Sequence, residues 1–420
     1  CWPWQRWLAW GGRRWTPDAT GVVERLAKKT ARSILREAAQ EADDDAFKAL
    51  VKFARQSEGA MRRANMLRLA QSEPGIPVLP DCLDTDPWKL NVANGTIDLR
   101  SGQLQPHRRD DLLTKLAPVE FRPDAKAPAW QRFLDRILRG KVEVIEFLQR
   151  LLGYCLTADV SEDVLPILHG NGANGKSTLV GTVLTMLGTD YSMKAAADLV
   201  MVKRQQQHPT ALADLFGKRL VALVESNEGE RLAESLVKEL TGGDRIRARK
   251  MHQDFWEFEP THKVLMATNH KPRVTGTDHA IWRRLRLIPF EVAIPEAEQD
   301  KQLPEKLRGE LPGILAWCVR GCLDWQKQGL AAPTDVMAAT GDYRDEEDAI
   351  GTFLVECCTM APSEMVKAVE LYSAYKRYCE TSGEHALGQR RFGRAMNERG
   401  FDRFTNNGTW YRGVGLLAEL

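Results

Sequence analysis

The residues Gly170-Asn171-Gly172-Ala173-Asn174-Gly175-Lys176-Ser177 satisfy the pattern G-x-x-x-x-G-K-[ST] at every specified position. Glycines so spaced let successive backbone N–H groups turn inward around an anion, and a helix starting there adds its positive end. Lys176 would set a charge against the β- and γ-phosphates of a nucleotide. Ser177 would hold Mg²⁺, with Thr178 opening the helix behind it. ATP and Mg²⁺ are the cofactors this chemistry calls for. The flanks agree: Ile167-Leu168 can end a strand, and Leu179, Val180, Leu184 and Leu187 fall at helical spacing. Pro166 lacks a ladder donor and so belongs near that strand's start. The plainer alternative is a Gly/Asn surface turn ahead of a lysine.

Kinases, switches and motors all share such a loop, so the residues downstream must decide among them. Arg219 to Glu225 reads as a buried strand ending in a carboxylate, suited to holding Mg²⁺ or polarising the attacking water, with Glu228 as a possible helper. A second strand, Lys263 to Ala267, ends in Thr268-Asn269-His270-Lys271-Pro272. The Asn269 amide can touch the γ-phosphate or the lytic water; otherwise it is a turn residue before proline. Trp282-Arg283-Arg284-Leu285-Arg286 then places guanidinia just ahead of a third strand. Arg283 or Arg284 could stabilise charge spreading over the γ-phosphoryl oxygens of a neighbouring subunit's ATP, or simply face water.

Between those strands, Arg245, Arg247 and Arg249 alternate with small or apolar residues, so in a strand they point the same way. Lys250 and His252 fall in the turn that follows. From Lys238 to Phe290 there are eleven Lys/Arg against six Asp/Glu, a local excess hidden by a net charge of +2 for the chain. Arg247, Arg249, Lys250 and His252 are the expected contacts to a nucleic-acid strand. A charged hairpin facing water or a neighbouring subunit is the alternative.

These groups need a scaffold. At 420 residues with 43% apolar and 8% aromatic content, the chain should fold into two or three domains of roughly 150 residues each. It has no apolar run near the ~18 residues that a membrane helix requires. Eight cysteines without Cys-x-x-Cys spacing argue against zinc and disulfides and for a reducing, cytoplasmic setting; Cys318 and Cys322 read as packing. The chain opens at Cys1 with no secretory signal, as a piece of a longer polypeptide would.

Punctuation and periodicity divide it into an α+β region over 1–106, a helical collar over 107–157, an α/β domain over 158–330, a connector over 331–362 and a small domain over 363–420. The first region holds hairpins at Gly11-Gly12 and Asn94-Gly95 and two amphipathic helices between them. The last reads as a winged helix: Phe392, Ala395 and Met396 stripe one side of a helix whose other sides carry Arg390, Arg391 and Arg394, and Asn406-Asn407-Gly408 closes a hairpin. DNA contact and protein docking are both open for this domain.

Together with Lys238-Glu239-Leu240-Thr241-Gly242-Gly243-Asp244, Ala267-Thr268-Asn269-His270-Lys271-Pro272 and Ile281-Trp282-Arg283-Arg284, the loop motif resembles the superfamily 3 helicase module of phage and plasmid primase-helicases. It is similar also to the poxvirus primase-helicase. Upstream, Trp10-Gly11-Gly12-Arg13-Arg14-Trp15 and the stretch from Asn91 to Leu99 resemble the region that precedes the module. The resemblance implies an AAA+-like P-loop ATPase core, a hexameric ring with ATP sites between subunits, a hairpin gripping one DNA strand, 3′-to-5′ translocation and often an attached primase. It assigns Lys176 and Ser177 to nucleotide and metal, Glu225 to the acid, Asn269 to the sensor, and Arg283 or Arg284 to the finger. An ATP-dependent DNA helicase of phage or plasmid replication is the expectation. A nucleotide-gated origin-binding initiator or helicase loader is the rival, and a small-molecule kinase would have no use for the basic hairpin.

Overall fold

The computed structural model describes the chain apart from residues 2, 203–209, 225–228, 252–253, 275–278, 383–385 and 418–420. Its centre is a five-stranded sheet of β1 (Leu165–His169), β2 (Ser192–Ala196), β3 (Leu220–Val224), β4 (Lys263–Thr268) and β5 (Leu285–Pro289). All neighbours are parallel, in the order β5-β1-β4-β3-β2. The fold is therefore mixed α/β about a parallel sheet. Strands covered on both faces read as nearly continuous apolar runs, as Leu220 to Val224 does. Pro166 is second in β1, and the β4 ladder starts one residue later at Ile167.

Alternation along the strands feeds two cores. Leu168, Leu220, Ala222, Leu265 and Ile288 face one side; Ile167, Val221, Leu223, Met266 and Leu287 face the other. The first core takes in helices Pro128–Ile137, Val142–Tyr154, Lys176–Tyr191 and Leu311–Gln328. It also takes in Leu90, Val92 and Ile97 from strands Lys89–Val92 and Gly95–Asp98. One continuous core thus runs across positions 106 and 157, and the collar helices are bolted to the sheet they precede. Helices Val142–Tyr154 and Leu311–Gln328 cross so closely that a Cβ on Gly153 would lie 2.1 Å from the Cys322 nitrogen.

Ahead of this body, Leu8–Trp10 pairs with Trp15–Pro17, bringing Trp10 opposite Trp15, and helices Val22–Ala38, Asp44–Ser57 and Ala60–Ala70 follow. Behind it, a third core built around Phe353, Tyr375, Phe392 and Tyr411 holds helices Ala368–Thr381 and Gln389–Glu398 against the hairpin Arg403–Thr405/Thr409–Arg412. No described helix is long and apolar enough to cross a membrane.

Candidate functional site

The connection leaving β1 travels over β4 and β3 to reach β2, whereas that leaving β4 returns over β1 to reach β5. The carboxyl ends of β1 and β4 therefore flank the point where the chain's direction of winding reverses, which is where open parallel sheets leave a ligand crevice. The glycine loop follows β1, and Asn269 follows β4.

Within the loop the side chains converge. Lys176, 5% exposed, donates from Nζ to the Gly170 carbonyl at 2.6 Å, to Asn174 Oδ1 at 2.9 Å and to Asn269 Oδ1 at 3.0 Å. Burial pulls its amine down to about 8. Asn174 is itself buried and donates to the Phe290 carbonyl at 3.3 Å, so it ties the lysine to the end of β5. The Ile294 N–H bonds the Ala173 carbonyl at 2.8 Å, clamping the loop from the same side.

Helix Lys176–Tyr191 starts behind Gly175, whose φ of +84° caps it without a side-chain hydrogen bond. A Cβ there would also meet Ile137 Cγ2 at 2.6 Å, so a collar helix presses directly on the loop. The first N–H groups of any helix lack intrahelical partners, and here they open toward the crevice end of the sheet. Asn171, Ala173 and Ser177 are exposed, while Gly172 and Thr178 are partly covered. Amides, a buried ammonium and an accessible hydroxyl make a donor set matched to a polyphosphate and its cation. Glu225, the expected acid, and Glu228 lie outside the described residues.

The two candidate finger residues part company. Arg284 is 7% exposed and committed within its own chain: Nε donates to Thr241 Oγ1 at 3.1 Å, Nη1 to the Ala280 carbonyl at 3.0 Å, and Asp163 lies 3.6 Å away. Arg283 is exposed. Both precede β5, which runs with Leu285 against Leu165 and Pro289 against His169. They sit at the end of the sheet opposite the loop, with the length of the strand, roughly 13 Å, between. The chain does not bring them to Lys176 and Asn269.

The basic stretch is a hairpin of Ile246–Ala248 with Trp256–Phe258. Ile246, Ala248 and Phe258 enter the second core, leaving Arg247 exposed, Arg249 half-buried and Lys250 exposed. Arg245 pairs with Glu259 at 3.3 Å, so the unneutralised charge gathers toward the tip. His252 lies outside the described residues. On helix Gln389–Glu398, Arg390, Arg391 and Arg394 are exposed behind a buried Phe392-Ala395-Met396 stripe.

Three features escaped the sequence reading. His169, the last residue of β1, borders the loop, and burial with Lys271 and Lys176 nearby keeps its pKa below the usual imidazole range. A cleft of about 410 Å³ beside the loop is lined by His169, Gly170, Asn171, Lys271, Phe290 and Glu346. Lys271 bridges to Glu346 at 2.6 Å, which couples the Asn269 turn to helix Thr334–Glu346. Strand-end positions beside the motif were the available signal for His169; the ion pair spans 75 residues and had none.

A model described as D5 N terminal like matches residues 3–139, a family of unknown function matches 168–284, and a poxvirus D5 protein-like model matches 345–409. A protein of Acanthamoeba polyphaga mimivirus, provisionally named a helicase, is 29% identical over 300 residues, covering 65% of this chain and 31% of its own length. An African swine fever virus protein provisionally named a primase is 24% identical, covering 71% of this chain and 34% of its own length. A Frog virus 3 protein provisionally named a helicase is 23% identical, with 76% and 41% covered. The chain thus spans about a third of the length of the curated relatives it matches. Among solved structures, the apo C-terminal region of NrS-1 aligns with a TM-score of 0.43 at 12% identity, over 71% of this chain and 79% of that one. The chain thus carries D5-type domains at both its ends and is similar to proteins of large DNA viruses that are provisionally named helicases or primases.

Proposed function

We propose that this chain is an ATP-dependent DNA helicase motor for viral or mobile-element replication, built on an AAA+-like P-loop core and hydrolysing ATP at the seams of a homo-oligomeric ring. The observation that carries the reading is the convergence of Lys176, Asn174 and Asn269 at the reversal point of the sheet, beside a helix start. Bound ATP would lie along the loop amides, with Lys176 against its outer phosphates and the Asn269 amide beside the γ-phosphoryl group. Ser177 would hold Mg²⁺, with Glu225 as the carboxylate; the ion would offset charge on the phosphate oxygens as water attacks. Arg283, exposed and remote from its own loop, is the residue free to reach a neighbour's nucleotide, whereas Arg284 is spent on holding the protomer together.

Movement belongs to other residues. The hairpin tip with Arg247, Arg249, Lys250 and His252 would grip single-stranded DNA in the channel, and an attached primase is the partner that the family suggests. Strand displacement on a forked duplex with ATP and Mg²⁺ tests the reading. Wild type unwinds, Lys176→Ala loses turnover and unwinding together, and Lys250→Ala keeps basal turnover but loses unwinding. Normal unwinding by Lys250→Ala overturns the hairpin assignment.

The exposed arginines of helix Gln389–Glu398 favour a second reading, a nucleotide-gated DNA-binding scaffold, with a winged-helix-like end, that assembles at an origin and loads another helicase. Turnover stimulated by DNA without displacement of the fork would select it.

A further inference from the structure

The hairpin that carries the basic residues has an aromatic ring where its own core has no use for one. Partners in the ladder are Ile246 with Phe258, Arg247 with Glu257 and Ala248 with Trp256. Opposed residues share a face, so Ile246, Ala248, Trp256 and Phe258 point inward, and one further step pairs Arg249 with Phe255 on the outward side. Phe258 is 5% exposed and Trp256 packs edge-on against Phe216 at 4.8 Å; Phe255 is 47% exposed and belongs to no core cluster. Two guanidinia lie over that ring instead, the Arg247 Cζ at 4.7 Å and the Arg249 Cζ at 5.0 Å from its centroid. Among the described residues neither arginine has a carboxylate in ion-pair reach, in contrast to Arg245 with Glu259.

We propose that Phe255 is a stacking platform for one nucleobase of single-stranded DNA, with Arg247 and Arg249 taking the phosphates on either side of it. The proposal rests on the DNA-motor reading and adds to it the group that holds a base rather than a phosphate. A guanidinium stacked on a ring keeps its N–H donors in the plane of its fork, aimed past the ring's edge, so stacking does not consume its capacity for phosphate. Every base has a π-face, which makes such a platform indifferent to sequence, as a translocating strand requires. The bland alternative is that the arginine stems merely shield an apolar ring from water.

The two differ in what salt and ring removal do. Binding of labelled oligo(dT) is measured across a salt series for wild type, Phe255→Leu, Phe255→Trp and Arg249→Ala. Phe255→Leu keeps an apolar side chain and loses the π-face; it should bind about fivefold to a hundredfold more weakly, the worth of one base–aromatic stack, with the wild-type salt slope. Phe255→Trp should bind as wild type or tighter. Arg249→Ala should flatten the slope by about 0.7, one phosphate's share on a single strand. On an abasic strand, which has the same phosphates and no bases, wild type should fall to the level of Phe255→Leu and the variant should lose nothing further. Because the ring is outside the cores, melting temperatures should match. If wild type ignores oligo(dT), the motor reading fails as well. If wild type binds with a salt slope and Phe255→Leu equals it, the platform alone is wrong.

Discussion

Lys176 and Asn269 are joined by a 3.0 Å hydrogen bond although 93 residues separate them in the chain. One follows β1 and the other follows β4, so the bond bridges the crevice between two adjacent strands. It holds the Asn269 amide beside the Lys176 ammonium, and in the proposed reading that amide meets the outer phosphate of a nucleotide bound to the loop. Asn269→Ala should therefore leave nucleotide affinity nearly intact and lower kcat on the order of 10²–10³-fold, the range for loss of one oriented donor at a reacting centre. Steady-state ATPase rates together with equilibrium binding of a fluorescent nucleotide check the split. Parallel losses in affinity and kcat would reassign Asn269 to simple binding.

If the loop binds a nucleotide as proposed, the buried position of the Lys176 amine should make that binding sensitive to pH. Desolvation lowers its pKa from 10.5 to about 8, so the free protein carries the charge below that pH and loses it above. A bound polyphosphate favours the charged form, so binding above pH 8 must take up a proton. The dissociation constant for ATP should be flat from pH 7 to 8 and then rise, approaching tenfold per pH unit. Titration calorimetry in buffers of different ionisation enthalpy should register proton uptake at pH 9. A flat profile to pH 9.5 would show that the amine is not so perturbed.

Much of this arrangement is legible in the sequence, and the remainder fails for identifiable reasons. Gly11-Gly12, Asn94-Gly95 and Asn406-Asn407-Gly408 mark hairpins because turn chemistry is local, and each hairpin forms there. Helix Ala60–Ala70 went unread because it buries no residue and so has no stripe, and strand Gln103–Gln105 is exposed throughout. Spacing could not choose between Arg283 and Arg284, since the distinction comes from Thr241 and Asp163, which meet Arg284 only in the folded chain. Phe255 was readable in principle: once Trp256 and Phe258 are read as strand residues, alternation puts Phe258 inside and Phe255 outside. The core that runs across positions 106 and 157 was not, because composition shifts at chain punctuation say nothing of which faces meet.

His262 should make the fold acid-sensitive. It is 2% exposed, with both ring nitrogens lacking partners among the described residues, and burial beside Lys263 lowers its pKa from 6.5 to about 4. The unfolded chain therefore binds the proton first. The contribution is whole above pH 6.5 and is lost as pH falls toward 4, amounting to about 3 kcal/mol at 1.36 kcal/mol per unit. His262→Leu should flatten this part of the profile. Urea midpoints at pH 7 and pH 4.5 give the comparison, and equal losses in both proteins would place the acid sensitivity elsewhere.

Arg283 and Arg284 should separate cleanly into function and fold. Arg284→Ala removes the donor to Thr241 and the Ala280 carbonyl from a buried position, so it should lower stability by about 1–3 kcal/mol, visible as a lower melting temperature. Arg283 is exposed, so Arg283→Ala should melt as wild type. If its guanidinium completes the site of a neighbour, Arg283→Ala alone abolishes turnover, and so does Lys176→Ala alone. A mixture of the two variants then contains seams at which an intact Lys176 faces an intact Arg283, and turnover should return in proportion to those seams. The strand length between Arg283 and its own loop leaves no route for this rescue within one protomer. Full-rate hydrolysis by an isolated Arg283→Ala protomer, or a mixture that stays inactive while both variants assemble, would remove Arg283 from the site.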